Sequence, residues 1–269
     1  QYSVTLDTDK VLYPHKYCKT YKARTKLENC TAEYNKWVET HAAVLKQHFN
    51  DALGVPSSDF GPREIEDLYE LCGFDLAVGN TSNGFCSLFH NTEFIDLLEY
   101  GQDLKFLGKK LYGDEPGDAL NYHIGVGLLQ DIASTIDGMI QGDSMARTSL
   151  NFAHAETLAP LLGLLGLFED PNYMSANSPA EAITGRRFRA SQAVPFAANL
   201  ALVLYNVTGS WQVQVLHNER VVPQPMCGDA TVCDWEMFKA AQAKHLRMDY
   251  HSICTPAATA SANDASDEL

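Results

Sequence analysis

Helical spacing governs the first half of the chain. In TAEYNKWVETHAAVLKQHFNDALG, residues 31–54, Tyr34, Trp37, Val38, His41, Leu45 and Phe49 recur at three- and four-residue steps, and the run stops at Gly54. Such spacing puts one apolar stripe along a helix, and other elements must cover that stripe. GPREIEDLYELCGFDLAVG, residues 61–79, sets Pro62 in a first turn and Ile65, Leu68, Leu71 and Cys72 along one face. NTEFIDLLEYGQDLKFLG (91–108) and YHIGVGLLQDIASTIDGMI (122–140) read as further helices. Residues 1–140 are therefore expected to form a mainly helical domain behind a short leading segment.

After Gln141 the texture changes. TSLNFAHA (148–155) reads as a short buried strand, ETLAPLLGLLGLF (156–168) as a helix, NLALVLYNV (199–207) and WQVQVLHNERVV (211–222) as two strands, and VCDWEMFKAAQAKHL (232–246) as a closing helix. A strand, a helix and a strand pair are the texture of an α/β sheet, so the fold class is α/β, with residues 141–255 forming the second unit. The sheet looks half built, which predicts that its other strands lie before residue 1 and that this chain alone exposes unpaired edges.

The 269 residues carry 20 basic and 34 acidic side chains, a formal charge of -14. That balance argues against an electrostatic grip on nucleic acid or on an anionic membrane. The longest apolar run, Leu158 to Phe168, has 11 residues and contains Pro160, Gly163 and Gly166. A membrane span needs roughly 20, so none is expected.

Three features point to the secretory route. Asn29, Asn80 and Asn206 each open an Asn-x-Ser/Thr sequon, a glycan acceptor in chains that enter that pathway. The chain ends in SDEL, residues 266–269, a close variant of the KDEL-type address read by a retrieval receptor, on a small, polar stretch (256–269) suited to a flexible tail. Together these predict the lumen of the endoplasmic reticulum, with secretion as the other outcome. Seven cysteines in such a lumen should mostly pair. Cys227 and Cys233 could close a small loop, the odd count leaves one thiol that could bridge to a partner chain, and the remaining connectivity is not set by spacing. QYSVTLDTDK lacks the apolar core of a signal peptide, which predicts that an original N-terminus is missing.

Chemistry concentrates in His-Ala-Glu, residues 154–156. At a strand end His154 and Glu156 would project to the same side, and the following helix start, with Thr157 as a candidate cap, would favour an anion such as phosphate. An imidazole donating to a phosphate oxygen beside a carboxylic acid that protonates a leaving alkoxide is what ester cleavage requires. The helix start alone would lower the carboxyl pKa, and a bound phosphate would push it back up. The plainer alternative is a hydrogen-bonded core histidine followed by a helix-start acid. A zinc-deaminase reading fails on spacing, because the downstream cysteines have five residues between them and lie far from Glu156.

With its neighbours, LNFAHAETLAPLLGLLGLF followed by RRFRASQAVPFAANLALVLYNV resembles the C-terminal half of the histidine acid phosphatase family, in particular its inositol polyphosphate phosphatase branch, which has His-Ala-Glu where most relatives have His-Asp. ELCGFDLAVGNTSNGFCSLFHNTEFIDLLEYGQDLKFLGKKLYG is similar to that family's helical domain. The resemblance implies a large α/β domain with a helical insertion, a cleft for phosphate esters, no metal or other cofactor, and a nucleophilic histidine within Arg-His-Gly-x-Arg-x-Pro. It makes His154 the phosphate-contacting imidazole and Glu156 the proton donor, acting on inositol polyphosphates or other phosphomonoesters. No Arg-His-Gly occurs in the 269 residues. The isolated chain is thus expected to be inactive, with a fragment bearing that segment as a candidate partner and a non-catalytic inositol-phosphate-binding protein as the alternative.

Two basic clusters stand out in an acidic chain. Lys105, Lys109 and Lys110 could reach outer phosphates of an inositol ring, or simply form a solvated face. Arg186, Arg187 and Arg189 could meet phosphates or pair with carboxylates. His123 and His217 read as packing residues.

Overall fold

The computed structural model describes residues 9–54, 61–79, 84–89, 92–112 and 119–256. Asn80 and the terminal SDEL lie outside the described residues, as does the side chain of Asn29. The described chain begins with two short helices, α1 (Pro14–Tyr17) and α2 (Lys19–Arg24), followed by α3 (Ala32–Leu53), α4 (Pro62–Ala77), α5 (Thr92–Lys110), α6 (Leu120–His123) and α7 (Val126–Gln141). After α7 come α8 (Ala155–Leu164), α9 (Ala180–Gly185) and α10 (Ala190–Ala193), then β1 (Leu200–Val207), β2 (Ser210–His217), β3 (Arg220–Val221) and β4 (Cys233–Asp234). The described chain closes with α11 (Trp235–Ala241), α12 (Ala243–Leu246) and α13 (Tyr250–Cys254).

The long helices stand where their apolar spacing puts them. α3 buries Tyr34, Trp37, Leu45 and Phe49 and ends on Gly54 in the left-handed region, the conformation glycine adopts without strain. Its contact with α5 is close. A Cβ on Gly101 would lie 2.6 Å from the Trp37 ring, so only glycine lets the two helices approach this far. One apolar core runs from Tyr34 and Trp37 through Leu104, Leu129 and Leu162 to Val213, Trp235 and Phe238.

The sheet is antiparallel. β1 pairs with β2 from Leu200↔His217 to Val207↔Ser210, and β2 also pairs with β3 and β4. WQVQVLHNERVV, expected as one strand, is a hairpin instead. Asn218 and Glu219 both take positive φ and reverse the chain between β2 and β3, the two-residue turn for which asparagine is well suited.

The expected strand over residues 148–155 is absent. Residues 145–154 are exposed and form neither helix nor strand, with Met145, Leu150 and Phe152 at 96%, 74% and 84% exposure. A strand exists only where a neighbour takes its backbone hydrogen bonds, and none of the described strands pairs with this segment.

Three disulfides are formed: Cys18–Cys254, Cys72–Cys86 and Cys227–Cys233, the last closing the small loop expected from its spacing. Cys18–Cys254 spans 236 positions and ties the junction between α1 and α2 to α13. In the chain-entropy view, closing so long a loop contributes on the order of 5 kcal/mol. Cys30, outside the disulfides, is fully buried and donates its thiol to the Arg24 carbonyl at 2.9 Å. A bridge from it to a partner chain is therefore sterically closed.

Candidate active site

α8 fixes the candidate site. Thr157, Ala159, Leu161, Leu162, Gly163 and Leu164 are all buried, so the helix is enclosed by the core, while His154, directly before it, is exposed. Two close approaches hold it. A Cβ on Gly163 would lie 2.7 Å from Tyr122, and one on Gly125 would lie 2.9 Å from Pro160. At its far end Gln242 donates to the Leu164 carbonyl (3.0 Å) and Tyr112 to the Leu167 carbonyl (2.6 Å). A helix locked this way presents its first turn at a fixed place.

His154 is the N-cap residue in extended conformation, and Glu156 is the second residue of α8. Thr157 does not cap the helix as expected. It sits three residues past the N-cap, inside the first turn, and its hydroxyl donates to the Leu12 carbonyl at 2.5 Å, pinning the segment before α1 against α8. That contact brings two residues to the site that the local sequence did not suggest. The Tyr13 hydroxyl lies 2.5 Å from His154 Nε2, with the two rings edge to face at 5.0 Å. His15, on α1, senses the charges of Glu156, His154 and Lys110. Its Nδ1 is buried without a hydrogen-bond partner among the described residues, and burial holds its pKa below the usual imidazole value.

The lysine cluster divides. Lys110, the last residue of α5, donates to Glu156 Oε1 at 2.9 Å. Lys105 turns elsewhere and pairs with Glu66 of α4 at 2.6 Å. The Lys109 backbone carbonyl accepts from Tyr21 at 2.8 Å. Burial pushes the Glu156 carboxyl upward, but the hydrogen bond and charge of Lys110 outweigh it, helped by the α8 backbone and His15, so its pKa sits below the ordinary glutamate value. Glu156 is thus ionised as it stands and needs a change of partners before it can donate a proton.

The arginine cluster takes the structural course. Arg186 donates to Asp103 at 2.7 Å and to Glu99 at 2.9 Å, and Arg189 and Ser191 also reach Glu99. Arg187 donates from its backbone to Asp170 at 2.6 Å. His217 donates from Nε2 to the Ala193 carbonyl at 2.7 Å, and His123 packs between Tyr122 and His245. Asn206 is exposed at the β1–β2 turn. Among the described residues no group of three or more His, Cys, Asp or Glu side chains is arranged to hold a metal ion, and no helix is long and apolar enough to cross a membrane.

The arrangement can contact a phosphate through an imidazole and a lysine and holds a carboxyl within reach of the same place. At the level of chain and fold, known proteins are similar to this one. Multiple inositol polyphosphate phosphatase 1 of Homo sapiens is 30% identical, over 97% of this chain and 54% of its own length. The Dictyostelium discoideum protein of the same name is 29% identical, over 88% of this chain and 45% of its own length. The chain thus spans about half the length of these relatives. The crystal structure of the Bifidobacterium longum multiple inositol polyphosphate phosphatase in complex with inositol hexasulfate matches in fold, with a TM-score of 0.67 at 17% identity, covering 88% of this chain and 63% of that one. The sequence profile of the histidine phosphatase superfamily (branch 2) matches residues 4–218, and the chain belongs to that family.

Proposed function

We propose that this chain carries the phosphate-contacting and proton-donating part of a phosphatase site for inositol polyphosphates. His154 would donate to a phosphate oxygen, and Glu156 would protonate the departing inositol oxygen. The observation that carries the reading is the convergence of His154, Glu156 and Lys110 at the one end of α8 that the core leaves uncovered.

In the reaction so read, a histidine nitrogen forms a bond to phosphorus, the P–O bond to inositol breaks, and the proton of Glu156 passes to the alkoxide. Water then hydrolyses the phosphohistidine. The nucleophile would come from an Arg-His-Gly segment, which these 269 residues do not contain. The chain alone is therefore expected to release no phosphate from inositol hexakisphosphate, and release is expected once a fragment bearing that segment is added. In the combined protein Glu156→Gln should slow release by roughly 10²–10⁴-fold. Unchanged turnover in that variant would remove Glu156 as the acid.

A second reading is supported by the Lys110–Glu156 pair, which holds the acid ionised. On that reading the chain binds inositol phosphates without cleaving them. Tight inositol hexakisphosphate binding with no release even in the combined protein would favour it. Residence in the endoplasmic reticulum lumen, retrieval through SDEL and glycans on Asn29, Asn80 and Asn206 complete the proposal. Glycosidase-sensitive mass on the purified glycoprotein tests the sequons.

A further inference from the structure

Glu156 must be protonated to serve as the acid of the proposed reaction, yet the structure holds it as a carboxylate. The group that keeps it so is Lys110, through one hydrogen bond of 2.9 Å. The pair is weakly held. Both side chains are about one-third exposed, at 29% and 34%, and a single hydrogen bond between partly solvated charges gives little resistance to exchange. Lys110 stands on the last residue of α5 and lies over the Phe106 ring, with Nζ 5.1 Å from its centre. Its four-carbon stem allows the ammonium to swing without moving the helix.

The other groups facing Glu156 do not take over the role of Lys110. His15 on α1 is kept toward its neutral form by burial. Tyr21 on α2 has its pKa pushed up to about 12, chiefly by burial and also by Glu156, so it carries no charge near neutral pH. Tyr13 is engaged with His154.

We propose that Lys110 is an exchangeable counter-ion, which Glu156 holds before substrate arrives and which transfers to the incoming phosphate, so that Glu156 takes up the proton it later donates. The exchange rests on the phosphatase reading of the site. It balances: Lys110 keeps its charge throughout, one proton moves from solvent to Glu156, and that proton leaves with the inositol oxygen. A phosphate offers more negative charge and more acceptor oxygens than one carboxylate oxygen, which draws the ammonium over. Its charge also repels the abandoned carboxylate, which favours protonation. The acid is thereby armed only when substrate is present.

The test uses this chain with isotope-labelled glutamate carboxyls followed by NMR, the Glu156 signal being assigned by its loss in Glu156→Gln. The probe is inositol hexasulfate, whose sulfate esters do not titrate in the range of interest. The Glu156 midpoint is expected below the ordinary glutamate value in the free protein and to rise by about one pH unit or more when the probe saturates the site. Lys110→Met should raise the midpoint of the free protein and remove most of the further rise, and Lys110→Arg should restore the low starting value. Probe binding that weakens in Lys110→Met while the Glu156 midpoint stays fixed would overturn the exchange and leave the site reading standing. Failure of the probe to bind, or binding indifferent to both His154→Ala and Glu156→Gln, would overturn the site reading and the exchange with it.

Discussion

Helix α5 carries two carboxylate–cation groups with opposite characters. In its middle, Glu99 and Asp103 meet Arg186, Arg189, Ser191 and the Ala190 amide in the interior, with the Arg186 and Asp103 side chains 2% and 0% exposed. At its end, Lys110 meets Glu156 through one hydrogen bond, partly in water. The buried group is satisfied several times over and has nowhere else to turn, so it fastens α5 to the segment around α10. The terminal pair can trade partners at little cost. One helix thus carries a fixed joint and, about two turns further on, a replaceable one, and burial with multiplicity of bonds separates them.

The largest expected effect comes from breaking the fixed joint. Arg186→Leu leaves two carboxylates in the interior with only part of their partners and should cost about 3–5 kcal/mol of stability, read from urea unfolding. Gly163→Ala comes next. Its Cβ would press on Tyr122, which should cost about 1–3 kcal/mol and tilt α8, weakening inositol hexakisphosphate binding along with stability. Lys110→Met, at the replaceable joint, should change stability by less than about 1 kcal/mol. A loss there as large as that of Arg186→Leu would erase the distinction between the two groups.

The two acids should also respond to pH in opposite senses. Burial pushes Asp103 from 3.8 up to about 7, against the pull of the Ala190 amide and Arg186. Its contribution is therefore fully present below about pH 4 and lost as pH rises through about 7. Glu156 is held below 4.5, so its smaller contribution is present above that value and lost as pH falls through the lowered one. Relative to Asp103→Asn, the wild-type protein should gain more at about pH 5 than at about pH 8, measured by the urea midpoint. The reverse trend would mean that Arg186 and the Ala190 amide, rather than burial, set the charge of Asp103.

The helices were legible because apolar spacing is a local property. Tyr34, Trp37, Leu45 and Phe49 lie within one run, and they are buried as that run implies. The segment from Thr148 to Ala155 misled for the same reason. Leu150 and Phe152 record a preference for burial, but a strand depends on a neighbour that local sequence does not report. Asn218 carried a usable turn signal, overlooked within an alternating run. In the candidate site, His-Ala-Glu could be picked out because its members adjoin. Tyr13 could not, since 141 positions separate it from His154 and no spacing rule links them. The lysine cluster was visible as a group, but five residues on a helix amount to about 140° of rotation, which sends Lys105 and Lys110 to different neighbours.

The Cys18–Cys254 bridge makes the 236-position stretch between its ends a covalent ring. Inside that ring lie α8, Lys110 and the buried arginine cluster, and just outside it Tyr13 and His15 are carried on the short arm leading into Cys18. A protease that cuts a single peptide bond within the ring leaves one covalently connected molecule, and the two new ends part only when the bridge is reduced. Survival of a nicked site would thus be governed by the thiol balance of its surroundings as much as by the cut itself.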